Sequence, residues 1–284
     1  PRLVEAFVLE EHPEFHRAFS TLGHPNFLGA YLALVIPFYA AEILIASSGS
    51  MRRFRYLFLA ALVLAALVLT FSRAAYLAVI SGGLALFILL APTFRARCRR
   101  VIMSVLIAGG LIAALVSSKP WLVTSTNPFL VRIAEAFDWQ NGSARARIEE
   151  WRYGGRLIAE RPLLGYGAET YSFAAREREK RLEEAGLAAV SPDPSVADRL
   201  HNLELDTLWS SGLLGLLALG GLYFSAFRTV VRKRAGESSD EIIQKTVLGT
   251  ALAANFIALQ FGFETGATAV FSAVIFGCLS ALSD

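Results

Sequence analysis

The chain has 284 residues, 55% of them hydrophobic and only 18% charged, with a mean hydropathy of +0.49. That is too apolar for a soluble domain of this length, and a formal net charge of +3 gives no sign of nucleic-acid binding. Two cysteines, Cys98 and Cys278, stand apart with no C-x-x-C and no histidine at ligand spacing, so neither a redox pair nor a cysteine metal site is expected.

Residues 1–26 are polar, broken by Pro13 and Pro25, and lack the basic and apolar regions of a signal peptide. Because the chain opens on Pro1 rather than Met, an excerpt of a longer polypeptide is expected. A bilayer core of ~30 Å needs ~20 mostly apolar residues per helix. Runs of that kind fall at 27–46, 54–71, 75–91, 101–116, 203–227, 246–262 and 266–282. The expected fold is an all-α integral membrane bundle of about seven spans, four over 27–116 and three over 203–284, with a helical loop domain at 117–202. Gly82-Gly83, Gly109-Gly110, Gly220-Gly221 and the Ser211/Gly215 spacing offer small residues for close helix approach.

Charge asymmetry sets the orientation. The connections holding Arg52, Arg53 and Arg55, then Arg95, Arg97, Arg99 and Arg100, then Arg228, Arg232, Lys233 and Arg234, read as cytoplasmic. By alternation the N-terminal segment, Arg73, the long segment 117–200 and Glu264 share the outer face.

Within the long segment, "SARARIEEWRYGGRLIAERP" places Ile148, Trp151 and Ile158 on one face of an amphipathic helix that ends at Pro162. "PLLGYG" is a turn, "AETYSFAAREREKRLEEAGLAA" a charged helix with a solvated face, and "SPDPS" a loop returning to the membrane.

Four places carry chemistry that a lipid-soluble bundle does not need. In "DRLHNLELDTLW", Asp198 and Asn202 read as caps of the fifth apolar helix, and Glu204 and Asp206 suit its positive end, but His201 is a poor cap. Arg73 sits between two apolar helices with almost no loop; snorkelling explains it, as does an anionic partner. Arg145, Arg147, Arg152 and Arg156 line the amphipathic helix, either for solubility with Glu149 and Glu150 as intrahelical partners or to grip a phosphate. His24, before the turn and cap at Pro25-Asn26, reads as structural, and "GYGAET" follows no strand and is no phosphate loop.

Taken in order, "GHPNFLGAYLAL", "LTFSRAAYLA", "RIEEWRYGGRLIAERPLLGYG" and "HNLELDTLWSSGLLGLL" resemble the O-antigen ligase and polymerase superfamily of bacterial envelope proteins. The resemblance implies a glycosyltransferase of the GT-C type in the bacterial inner membrane. It would transfer or polymerise glycan from a polyprenyl-diphosphate donor on the periplasmic face, with no metal and no cofactor. The acceptor would be a glycan, a lipid A-core or a protein. Arg73 of the Ser-Arg motif and Arg147, four residues before Trp151, would bind the diphosphate. His201 of the His-Asn motif would be the base, with Arg152 and Asn202 completing the substrate contacts. The chain departs from the family pattern at His24, where Asn is commonest, and at Ala74, where Gly is frequent. In that family further helices normally precede the Pro-Asn motif, which fits an N-terminal truncation.

The reading requires Arg73, Arg147 and His201 to serve one cavity. A transporter for lipid-linked anions would instead put ionisable groups or broken helices at the bilayer midplane, where Asn255 and Gln260 are the few deep polar residues. A non-catalytic remnant is the third possibility. Ligase, polymerase and protein-directed transferase stay open at this level.

Overall fold

The computed structural model describes residues 8–12, 15–91, 93–123, 142–184, 198–232 and 236–283. The protein is a helical membrane protein with one small sheet. Among the described residues, a hairpin of β1 (Val8–His12) and β2 (Phe15–Ala18) comes first, with Leu9 opposite Arg17 and an irregularity between Leu9 and His12. The expected polar segment 1–26 therefore contains paired strands. A single 3-10 turn at Ser20–Leu22 leads into α1.

Among the described residues the helices are α1 (Pro25–Ile45), α2 (Met51–Leu69), α3 (Arg73–Leu89), α4 (Phe94–Val123), α5 (Gly142–Ile158), α6 (Tyr171–Glu184), α7 (Leu203–Val231), α8 (Ser239–Leu259) and α9 (Gly266–Ala281). Among the described residues, α1, α7 and α8 are long and apolar enough to cross a membrane; α3 and α9 are apolar but shorter. Of the seven spans expected, α1, α7 and α8 have the length and composition of a full crossing among the described residues. α2 opens on Arg52, Arg53 and Arg55, whereas α4 follows its arginines with an uncharged stretch from Val101 to Ser118. The "SPDPS" loop lies outside the described residues.

The chain forms two compact units. The first holds the hairpin, α1–α4, Ser225–Val231 of α7, α8 as far as Ala258, and α9. Its core has two clusters: Ala33, Leu67, Ala75, Ala78 and Ala258 in one, mostly alanine, and Leu34, Ala226, Ala251, Leu252, Ile275 and Leu279 in the other. A Cβ on Gly29 would stand 2.6 Å from that of Ala75, and one on Gly249 would stand 2.6 Å from a methyl of Val230. Of the glycine pairs picked from sequence, Gly82 does pack tightly, 3.1 Å from the Ala254 Cβ, whereas Gly83, Gly109, Gly110, Gly220 and Gly221 have nothing within 4 Å. The outward faces of α2 and α4 expose Phe54, Leu57, Phe58, Leu62, Val105, Leu106 and Ile107, the pattern of helices bathed in lipid.

The second unit contains α5, α6, residues 198–202, α7 as far as Phe224, and Leu259–Phe263. Its core joins Tyr153, Leu157 and Ile158 of α5 to Tyr171 and Ala175 of α6, together with Leu200 and Trp209. The buried stripe of α5 is therefore Glu150, Tyr153, Gly154, Leu157 and Ile158, one helical face at spacings of three and four, with Trp151 and Ile148 at its margins.

α7 is not the uninterrupted span expected over 203–227. At Gly212 the backbone turns to φ 64°, ψ −161°, a region that only glycine occupies readily. The two bonds that a continuous helix would run from Leu213 and Leu214 back to Trp209 and Ser210 are exchanged for bonds to the 162–167 turn. Tyr166 N donates to Trp209 O at 2.7 Å and Gly167 N to Ser210 O at 3.1 Å. Leu213 N donates to Pro162 O at 2.8 Å and Leu214 N to Leu163 O at 3.4 Å. The polar start of α7 is consequently a short helix of its own, bonded to the loop unit.

Candidate functional site

Residue Leu200 is fixed from three directions. Its N–H donates to Asp206 Oδ1 at 2.8 Å, its carbonyl accepts the Trp151 indole N–H at 2.8 Å, and its side chain is fully buried. Gly154 makes room for it, since a Cβ there would come within 2.2 Å of Leu200 Cδ2. Asn202 caps α7 by accepting from Leu205 N at 3.1 Å, while its amide donates to Gln260 Oε1 at 3.1 Å; Gln260 in turn donates to Glu204 at 3.2 Å. Asn202 is the helix cap, as expected; Asp198 is not. Pinned between these anchors, His201 adopts φ +54°, the left-handed region that a non-glycine residue enters only under such constraint.

His201 Nδ1 lies 2.9 Å from Arg199 O, and because a carbonyl only accepts, Nδ1 carries the proton and Nε2 the lone pair. Nδ1 is also 3.8 Å from Glu150 Oε2, and Nε2 is 3.9 Å from Asp198 Oδ1. The ring packs edge-on to Phe263, with centroids 5.3 Å apart. Burial, followed by the positive charge of Arg147, lowers the His201 pKa below its ordinary value, so the imidazole is neutral at pH 7.

Glu150 is 8% exposed, and among the described residues its Oε1 has no hydrogen-bond partner. Burial, reinforced by Asp206, pushes its pKa up to about 7, against the opposing pull of Arg147. Sequence reading took Glu150 for an intrahelical partner of the arginines. Glu149 pairs with Arg145 at 2.7 Å, whereas Glu150, which feels the charge of Arg147, also lies 3.8 Å from His201 Nδ1. The signal was available: Glu150 shares its helical face with Tyr153, Gly154 and Leu157.

In the first unit, Arg73 is the first residue of α3, directly after the cap Ser72, whose hydroxyl accepts from Ala75 N at 3.4 Å. The connection before it is tightly made. Thr70 and Ser72 are buried, and Phe71 has φ +48°. Buried Arg17 of β2 donates through Nε to Thr70 O at 3.0 Å and through Nη2 to Asn26 Oδ1 at 3.1 Å. Arg17 thus ties the Pro-Asn motif to the Ser-Arg motif, a link absent from the sequence reading. His24, not Asn26, caps α1, accepting from Asn26 N at 3.1 Å through Nδ1. Asn255 is fully buried and donates to Ser272 Oγ at 2.9 Å and to Glu264 at 3.5 Å, so it serves internal cohesion.

Of the residues singled out from sequence, Arg147, Arg152, His201 and Asn202 belong to one unit and Arg73 to the other. Arg147 is half-buried and Arg152 exposed. A cavity of about 350 Å³ within the second unit is lined by Leu157, Glu160, Arg161, Tyr166, Ala174, Glu177, Arg181 and Trp209, and so does not include His201.

The second unit thus sets a half-buried histidine before a broken helix, beside an amphipathic helix carrying Arg147 and Glu150. Residues 58–220, more than half of the chain, match the family model described as O-antigen ligase, and the chain belongs to that family. No individual curated protein matches it.

Proposed function

We propose that this protein transfers or polymerises glycan from a polyprenyl-diphosphate donor on the periplasmic face of the bacterial inner membrane, in the manner of an O-antigen ligase. The observation that carries this reading is His201 held neutral with Nε2 free to accept a proton. Glycosyl transfer needs an acceptor hydroxyl to lose its proton as the new bond forms, and a positioned neutral imidazole accepts it. The departing group is a diphosphate, on which negative charge grows as the glycosidic bond breaks. Fixed guanidinium groups stabilise that charge best when they are already in place.

Arg147, close enough to His201 to depress its pKa, supplies one such cation on the acceptor side. Arg73 supplies another: it stands in the first turn of α3, at the positive end of the helix dipole, a combination suited to phosphate. Exposed Arg152 extends the positive surface of α5 toward lipid headgroups or donor. Asn202, engaged by Leu205 and Gln260, acts by setting the start of α7 and hence the place of His201. Glu150 is assigned to orient and tune His201. No cofactor enters the scheme.

The break in α7 is a feature that transporters share, but here both helix ends are bonded to the chain's own turn. Ligase chemistry is therefore preferred to transport. The test is reconstitution in vesicles with a polyprenyl-diphosphate glycan and, in separate reactions, a lipid A-core, a free glycan and a protein acceptor. Sugar gained by one acceptor, and lost with His201→Ala, supports the reading and selects among its three versions. Movement of intact donor across the bilayer without glycan transfer would overturn it.

A further inference from the structure

We infer that the turn at Pro162–Gly165 is a membrane anchor whose Leu163 and Leu164 side chains lie among the acyl chains of the bilayer. Leu163 is 61% and Leu164 73% exposed within the protein, at the tip of a four-residue stretch, Pro-Leu-Leu-Gly, that carries no charge. They are not isolated. Leu213, Leu214 and Leu217 are exposed just beyond Gly212, and the turn is bonded to that very stretch of α7 through Pro162 O and Leu163 O. The apolar surface of the turn is therefore continuous with the flank of a helix long and apolar enough to span lipid.

Irregular backbone is tolerated at membrane depth only where its polar groups are satisfied by protein. The exchange of bonds at Gly212 provides that. The N–H groups of Tyr166 and Gly167 find the carbonyls left open at Trp209 and Ser210, and the carbonyls of Pro162 and Leu163 find the amides left open at Leu213 and Leu214. The flanking side chains are those that mark a lipid–water boundary. Tyr166 stacks on Trp209 at 4.3 Å, and Arg161 sits over the Tyr166 ring at 5.0 Å, a cation beside apolar rings. A soluble protein partner would cover the turn only by following α7 into the membrane, which makes lipid the occupant. The inference does not depend on the reaction proposed above.

The experiment uses the full chain in phosphatidylcholine–phosphatidylglycerol vesicles, with Cys98→Ser and Cys278→Ser as background. Leu164→Cys carries an environment-sensitive fluorophore, exposed Arg156→Cys is the control, and Leu163→Cys is a second probe should Leu164→Cys fail to elute as a monodisperse protein. Acyl-chain nitroxide lipids are expected to quench the Leu164 and Leu163 probes several-fold more strongly than aqueous iodide does, with the order reversed at Arg156. Iodide quenching at Leu164 equal to that at Arg156 would overturn the anchor. Shielding from iodide without quenching by the nitroxide lipids would put protein over the turn and overturn it as well.

Discussion

His201 Nδ1 meets the carbonyl of Arg199 at 2.9 Å, two residues back along the same chain, so the ring is clamped by the loop that carries it and the tautomer is fixed without a carboxylate. Burial and Arg147 hold the imidazole's pKa below its ordinary value. If Nε2 is the base, activity needs the neutral form, and the acid limb of the rate–pH profile is expected below about 6.5. His201→Ala should cost about 10²–10⁴-fold in transfer while leaving a folded protein. A limb well above 6.5, or full product from the Ala variant, would remove His201 from the chemistry.

Glu150 makes a prediction about stability. Its pKa in the folded protein, about 7, lies above the ordinary carboxyl value of 4.5, so folding favours the protonated form. The folded state is then most favoured at low pH and loses stability as pH rises through 4.5 to about 7. Glu150→Gln keeps the shape and removes the titration. Relative to the parent, the variant is expected to be more stable at pH 8 by about 2 kcal/mol, and the gain should shrink toward pH 5. Comparing the two proteins at each pH cancels the opposite trend of His201, which disfavours the folded state as pH falls through its lowered pKa. Parallel melting curves across the range would show that Glu150 does not titrate as described.

Arg73→Lys keeps the charge at the start of α3 and loses the planar fork. Transfer is expected to fall by about tenfold or more if two phosphate oxygens are held at once. Initial rates with purified donor measure this. A Lys variant as active as the parent would leave only a requirement for positive charge.

Gly212→Ala adds a Cβ only 2.2 Å from Leu163 O, at a φ/ψ that alanine avoids. A loss of about 3 kcal/mol is expected, seen as a lower melting temperature in detergent. A second readout is the 162–167 turn, which should become open to protease as α7 closes into a continuous helix and releases it. An unchanged melt with a protected turn would mean that the break is not held by the exchanged bonds.

Much of this was legible from residue type. Apolar runs of 16 to 25 residues declared the helices of the bundle, and the start of α1 followed from Pro25-Asn26. The amphipathic period of α5, stopped by Pro162, was equally plain, as was Asn202 at the head of α7. The β-hairpin was missed because short polar strands interrupted by Pro13 carry no periodic signal. Arg17 was missed for a related reason: nothing local distinguishes a buried arginine from a solvated one, and its partners Thr70 and Asn26 lie 53 and 9 residues away.

By itself, the sequence determined that this chain enters a membrane and that a histidine, several arginines and a cluster of acids gather at its polar segments, because hydropathy and charge are properties of residues one at a time. Only the tertiary structure decided that Glu150 comes within 3.8 Å of His201, which ring nitrogen keeps its lone pair, and that α7 yields two of its own hydrogen bonds to a turn 43 to 51 residues earlier. Burial, tautomer and bond exchange are relations between distant groups. They exist only once the backbone has brought those groups together.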